Sequence, residues 1–163
     1  MEQIEGVTWT DIVTAIAAVL AFGVLIFAAL YARHQLHSME KTREAQLLAD
    51  LSRRWDEELL TESRQAVGKY KNGSELSQSL EELRNRSDEQ YYVILRLPDF
   101  FEDLGLLVNK KCLSLQLAKD MFGTAVKYHY NLYKDTIENM RKIYKDQTIY
   151  KFFEDLAEEI KDN

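Results

Sequence analysis

Residues 12–31, IVTAIAAVLAFGVLIFAALY, are twenty consecutive residues without a charge. Their only polar side-chain atoms are the hydroxyls of Thr14 and Tyr31. Twenty helical residues rise about 30 Å, the thickness of a bilayer hydrocarbon core. The run is apolar on every side, and the roughly 130 residues that follow are too few to wrap such a helix completely. It therefore predicts a transmembrane helix. Three features oppose a cleaved signal peptide. The preceding MEQIEGVTWTD has no Lys or Arg, the apolar stretch is long, and Ala32-Arg33-His34 is a poor cleavage context.

The flanks set the expected orientation. Glu2, Glu5 and Asp11 precede the run, while Arg33, Lys41 and Arg43 follow it, with His34 and His37. Positive charge stays on the cytoplasmic side, so the tail is expected outside and the body inside. Trp9, Tyr31 and Arg33 are the expected interface anchors. Thr14/Ala18 and Ala17/Ala21 have the small-xxx-small spacing that mediates helix association. No ionisable residue lies within the span, which argues against a transporter but not against a pore built from several copies.

The body is expected to be all helical. One proline and six glycines in 163 residues are too few for a sandwich or barrel. The apolar stripe Leu47, Leu48, Leu51, Trp55 and Leu59 continues the first helix, and Thr61 predicts a restart near Leu60. Lys71-Asn72-Gly73-Ser74 predicts a turn, and a short helix follows over 75–86. Ser87-Asp88-Glu89-Gln90 matches a capping box ahead of a helix over 88–109. Pro98 falls inside that helix, removes the hydrogen bond to the Ile94 carbonyl and predicts a kink. Ser114 is the expected cap of a helix to 145, with a stripe of Met121, Phe122, Ala125, Leu132, Met140 and Ile143. A last amphipathic helix is expected over 148–161.

Several chemistries find no support. The net charge of −6 leaves a mildly acidic body, unlike the basic surface of a duplex nucleic-acid binder, so no nucleic acid is expected. The single cysteine, Cys112, forms no intrachain disulfide and has no local sign of activation. A carboxylate di-metal bundle needs Glu-x-x-His, and none of the three histidines has an acid three residues earlier. GxSxG, GxxxxGK[ST] and GxGxxG are absent. No cofactor and no metal are therefore expected, and no catalytic residue is assigned. His34 and His37 share a helical face, which suits either a pH sensor or ordinary interfacial residues. Tyr128, Tyr130 and Tyr133 cluster with His129, either as a recognition surface or as helix packing.

Two stretches share a phrase, Phe100-Phe101-Glu102-Asp103-Leu104 and Phe152-Phe153-Glu154-Asp155-Leu156. Their flanks do not align, so two similar amphipathic turns explain them better than duplication. Together with Trp55-Asp56, Ser63-Arg64, Val67, LPDFFEDLGLLVNKKCL over 97–113, Ile137, Arg141 and YKFFEDL over 150–156, the chain resembles a family of small bacterial membrane proteins of unknown function. The resemblance covers nearly the whole chain. It implies one N-terminal transmembrane helix, a cytoplasmic all-helical domain and a bacterial inner membrane. It implies no activity, substrate or catalytic residue.

Four charged residues lie beside predicted core aromatics: Arg64, Glu102, Arg141 and Glu154. The expectation is that Arg64 or Arg141 pairs with Glu102 or Glu154 between helices, fixing register more than stability; four surface charges are the alternative. The fold expected is all-α, a single N-terminal transmembrane helix continuing into a cytoplasmic bundle of about four or five helices. Its parts are an extracytoplasmic tail (1–11), the membrane helix (12–32), a helical neck (33–46) and the bundle (47–163). A membrane-anchored interaction or scaffold protein follows, with lipid and an unidentified protein, or its own copies, as partners. A multimeric membrane effector whose helices cluster into a pore is the alternative. An enzyme with an unfamiliar site is a third class.

Overall fold

The computed structural model describes residues 9–162, without the side chains of Asp11, Ala15, His37, Glu40 and Asp162. The tail residues Glu2 and Glu5, the His37 side chain and Asn163 thus lie outside the described residues. Among the described residues the chain is helical throughout: α1 (Trp9–Asp56), α2 (Glu58–Val67), α3 (Gly73–Asn85), α4 (Glu89–Asn109), α5 (Leu115–Tyr144) and α6 (Lys151–Asp162). It divides into two compact units, residues 1–43 and 44–163.

In the first unit every described side chain from Trp9 to Arg43 is exposed. Helix α1 is long and apolar enough to cross a membrane, and its most apolar stretch has a mean hydropathy of 2.7 with none of it buried. The Thr14 hydroxyl donates to the Thr10 carbonyl at 2.7 Å, so it is satisfied within the helix.

In the second unit the core is a single cluster. Helix α4 is its centre and packs against α2, α3, α5 and α6. Its sequence explains this place. Ile94, Leu97, Phe100, Phe101 and Leu104 recur at three and four, and all five are fully buried. The helix runs on through Pro98. Proline has no N–H, so the Ile94 carbonyl one turn earlier loses its partner. Tyr133, fully buried on α5, supplies the replacement: its hydroxyl donates to the Ile94 carbonyl at 2.7 Å.

Helix ends follow their capping chemistry. Asn72, Asp88 and Ser114 each accept a backbone N–H from the first turn of α3, α4 and α5. Asp88, not Ser87, is the cap of α4. Ser87 adopts a left-handed conformation (φ 53°) and closes α3, with the Asp88 N–H reaching back to the Leu83 carbonyl. Lys111 and Lys145 close α4 and α5 in the same way, although glycine is the usual residue there.

The break between α1 and α2 falls at Glu57, earlier than Thr61 suggests. No proline or glycine causes it. Arg64 donates to the Trp55 carbonyl, which a continuous helix would use for Leu59, and its other nitrogen donates to the Thr61 hydroxyl at 2.9 Å. The interruption rephases the helix, so Leu60 is buried and Leu59 faces outward. Met121 and Ile143 also leave the core stripe expected of α5 and are exposed, because the α5 face that meets α4 and α6 runs through Phe122, Val126, Tyr133 and Ile137. Helix α6 begins at Lys151, since Thr148 bonds back to Asp146 in a turn.

Replacing Tyr133 by Phe leaves the Ile94 carbonyl buried without a donor. The expected cost is about 1–3 kcal/mol in equilibrium unfolding of the micelle-solubilised chain. In a Pro98→Ala background the residue 98 N–H is restored, and the same substitution is expected to cost markedly less. Equal costs in both backgrounds would show that the hydroxyl does not serve the gap left by proline.

Candidate functional site

The densest polar cluster of the second unit lies where α4, α5 and α6 meet. Tyr130 and Arg141 on α5 are eleven residues apart, about three turns, and so share a face. Arg141 is in the last turn and reaches the chain that returns from it. Its Nε donates to the Ile149 carbonyl at 2.9 Å and its Nη1 to Glu154 Oε2 at 3.2 Å. Glu154 also accepts the Tyr130 hydroxyl at 2.9 Å, with Lys151 Nζ at 3.4 Å. The Arg141 and Glu154 side chains are only 10% and 21% exposed.

Helix α4 closes the cluster from the other side. Glu102 Oε2 accepts the Phe153 N–H at 2.8 Å, so a carboxylate from one helix caps the first turn of another. Gly105, one turn along, lets α6 approach this closely, since a Cβ there would overlap the Phe152 carbonyl. Tyr150, held at φ 53° just before α6, donates its hydroxyl to Asp99 at 2.7 Å.

Burial pushes the carboxyls of Glu102 and Asp99 above the usual range, against the hydrogen bonds they accept. For Glu154, burial pushes up, but the Tyr130 hydrogen bond and the Arg141 charge prevail and hold it below the usual range. Burial and Glu154 push the Tyr130 phenol up, so it stays a donor. The cluster binds helices to one another, with its carboxylates and hydroxyls already engaged.

Of the four charged residues named from the sequence, the structure brings Arg141 and Glu154 together and sets Glu102 against the α6 backbone. Arg64 has no carboxylate partner among the described residues. Its guanidinium lies 4.4 Å over the Trp55 ring. Trp9, Tyr31 and Arg33 are exposed on α1. Sequence reasoning placed Tyr133 in a recognition surface or in helix packing and did not connect its hydroxyl with the donor that Pro98 signals is needed nearby. It also did not foresee the cap from Glu102, because no local pattern shows which carboxylate meets a distant helix end.

Elsewhere, a polar cleft of about 430 Å³ opens between the α3 N-terminus and α5, lined by Lys71, Ser74, Tyr128, Asn131, Lys134 and Asp135 among others. None of the four charged residues lines it. Among the described residues no group of three His, Cys, Asp or Glu side chains is placed to hold a metal ion.

A family model described as a domain of unknown function, DUF4760, matches residues 13–160. The chain belongs to the DUF4760 family. No curated protein and no solved structure matches it. The DUF4760 match begins inside the apolar run of α1 and ends in the last turn of α6, so it takes in the whole α4–α5–α6 cluster.

Substitution separates the buried pair from a surface one. Arg141→Met leaves Glu154 half-stranded and is expected to cost about 2–4 kcal/mol. Arg54→Met breaks a pair with Asp103 whose side chains are 47% and 52% exposed, and is expected to cost less than about 1 kcal/mol. Glu154 has a depressed folded-state pKa, so its contribution is complete above its unfolded value of 4.5 and is lost as pH falls through the lower folded value. In unfolding measured from pH 7 to pH 3, the loss of stability below about pH 4.5 is therefore expected to be smaller in Glu154→Gln than in the wild type.

Proposed function

We propose that the protein is a membrane-anchored interaction module of a bacterial inner membrane. Residues 12–32 span the bilayer, the N-terminus lies outside, and the bundle is a cytoplasmic docking platform. One observation carries this reading: the apolar stretch of α1 has no protein cover, since every described side chain from Trp9 to Arg43 is exposed. Leaving such a helix in water exposes far more contiguous apolar surface than a soluble monomer tolerates. Lipid removes that cost, with the Thr14 hydroxyl already satisfied by Thr10. Trp9 and Tyr31 flank the stretch as interfacial aromatics, and Arg33 follows on the side the positive charge favours.

The platform role rests on how the bundle uses its polar groups. Arg141, Glu154, Glu102, Tyr130 and Tyr150 bind helix to helix, which suits a rigid recognition surface. Anchoring confines the bundle near the membrane and raises its local concentration for partners there.

Fractionation and protease access test this. The chain is expected in the membrane fraction after alkaline carbonate washing, at full length. Trypsin is expected to digest the bundle in inverted vesicles and to spare it in spheroplasts. Recovery as a soluble chain shortened at its N-terminus would replace the anchor with a cleaved signal. The mass of the nanodisc-embedded chain then separates roles: a monomer or dimer keeps the docking platform, whereas a ring of many copies would point to a multimeric effector.

A further inference from the structure

We propose that His129 is an acid-sensitive lock in the aromatic centre of the bundle, and that protonating its imidazole loosens the joint between α1 and α2. The proposal starts from where the ring sits. His129 is 8% exposed and its Nδ1 is buried without a hydrogen-bond partner. Its ring lies 5.5 Å from Phe101 on α4, 4.9 Å from Tyr128 on α5 and 6.5 Å from Trp55 at the end of α1. Trp55 in turn meets Phe100, Phe101 and Phe122 within 5.8 Å. An apolar nest of this kind accepts a neutral imidazole and rejects an imidazolium.

The charges around the nest sharpen that preference. From α2 the facing group is Arg64, whose guanidinium already covers the Trp55 ring and holds the Trp55 carbonyl. A proton on His129 would add a second cation beside it. Five acids of the neighbouring elements are engaged elsewhere. On α4, Glu102 takes the Phe153 N–H, Asp103 pairs with Arg54 of α1, and Asp99 takes the Tyr150 hydroxyl. On α2, Glu62 pairs with Arg96. On α6, Glu154 is held by Arg141 and Tyr130, and Phe153 stacks on Phe101 of the nest. On α5 itself, Tyr128 presents its ring edge and Lys127 is exposed. Burial first and Arg64 second lower the imidazole from 6.5 to about 4.

The sign follows. A histidine with a depressed folded-state pKa is neutral in the fold while the unfolded chain protonates near pH 6.5, so the fold weakens as pH drops from about 6.5 toward 4. The element that yields is the one Arg64 holds. Repulsion between the two cations bears on the guanidinium that pins the Trp55 carbonyl, where α1 ends without a glycine or proline to stop it.

Amide hydrogen exchange on the full-length, micelle-solubilised chain tests this, with rates corrected for intrinsic exchange at each pH. The opening constant of α2 amides is expected to rise roughly twenty-fold from pH 7 to pH 5 through His129. His129→Gln removes the titration, so its pH dependence is expected to be smaller than wild type by about that factor. Asp99 and Glu102, with raised folded values, act in the opposite sense in both proteins and cancel in the comparison. The same pH dependence in His129→Gln and wild type would overturn the proposal. Should His129→Gln not fold, Arg64→Met serves instead. Without the neighbouring cation the His129 resonances are expected to titrate at higher pH and the acid opening to shrink, and an unchanged titration would overturn the proposal equally.

Discussion

A buried helix with a proline in its middle sets the terms for the bundle. Helix α4 packs against α2, α3, α5 and α6, so its backbone has little access to water. A carbonyl freed there needs a protein donor, because an unsatisfied buried acceptor costs about 1–3 kcal/mol. Tyr133 supplies that donor from α5. The bond is directional and fixes which residue of α5 sits beside which residue of α4. Hydrophobic contact alone would allow the helices to slide by a turn; a hydroxyl aimed at one carbonyl does not.

The α6 attachment extends the same logic. Apolar burial of Phe153, Leu156, Ala157 and Ile160 gives the helix its affinity for the bundle. Its register comes from three contacts that tolerate no slip. Glu102 meets one particular N–H, Gly105 admits one particular carbonyl, and Arg141 joins Ile149 to Glu154. Partly buried ion pairs add little net stability when weighed against desolvation, so the geometric role is the better account of Arg141 and Glu154.

Much of this was legible in the sequence where the signal is local. Periodicity located α3, α4, α5 and α6 and most of their buried faces, and Ser114 was recognised as a cap because a serine before an apolar run has one common use. Most of the failures trace to a distant group that decided the outcome, and Ser87 is the local exception. Arg64 ends α1 at Asp56 from the far side of the break, so no residue at the break announces it. Ser87 resembles the start of a capping box, but closing α3 needed a left-handed residue there, and the cap passed to Asp88. Among the four charged residues, Arg141 and Glu154 do form the kind of interhelical pair expected, but amphipathic spacing shows which face a charge occupies and not which helix lies opposite, so it did not single out that pair. The same limit applied to Glu102, whose partner is a backbone N–H fifty-one residues away.

The two units pose opposite physical problems. In the bundle, Arg141, Glu154, Glu102 and Tyr130 are drawn inward and bonded across helices, and the apolar faces cover themselves. Along Trp9 to Arg43 the chain offers apolar side chains and covers none of them. The sequence packs Phe, Trp and Leu into a core in one unit and leaves Phe22, Leu25, Phe27 and Leu30 bare in the other, the contrast on which the proposed membrane anchor rests. On the proposed reading, water surrounds the first and hydrocarbon the second, and the charge asymmetry across residues 12–31 would give that arrangement its direction.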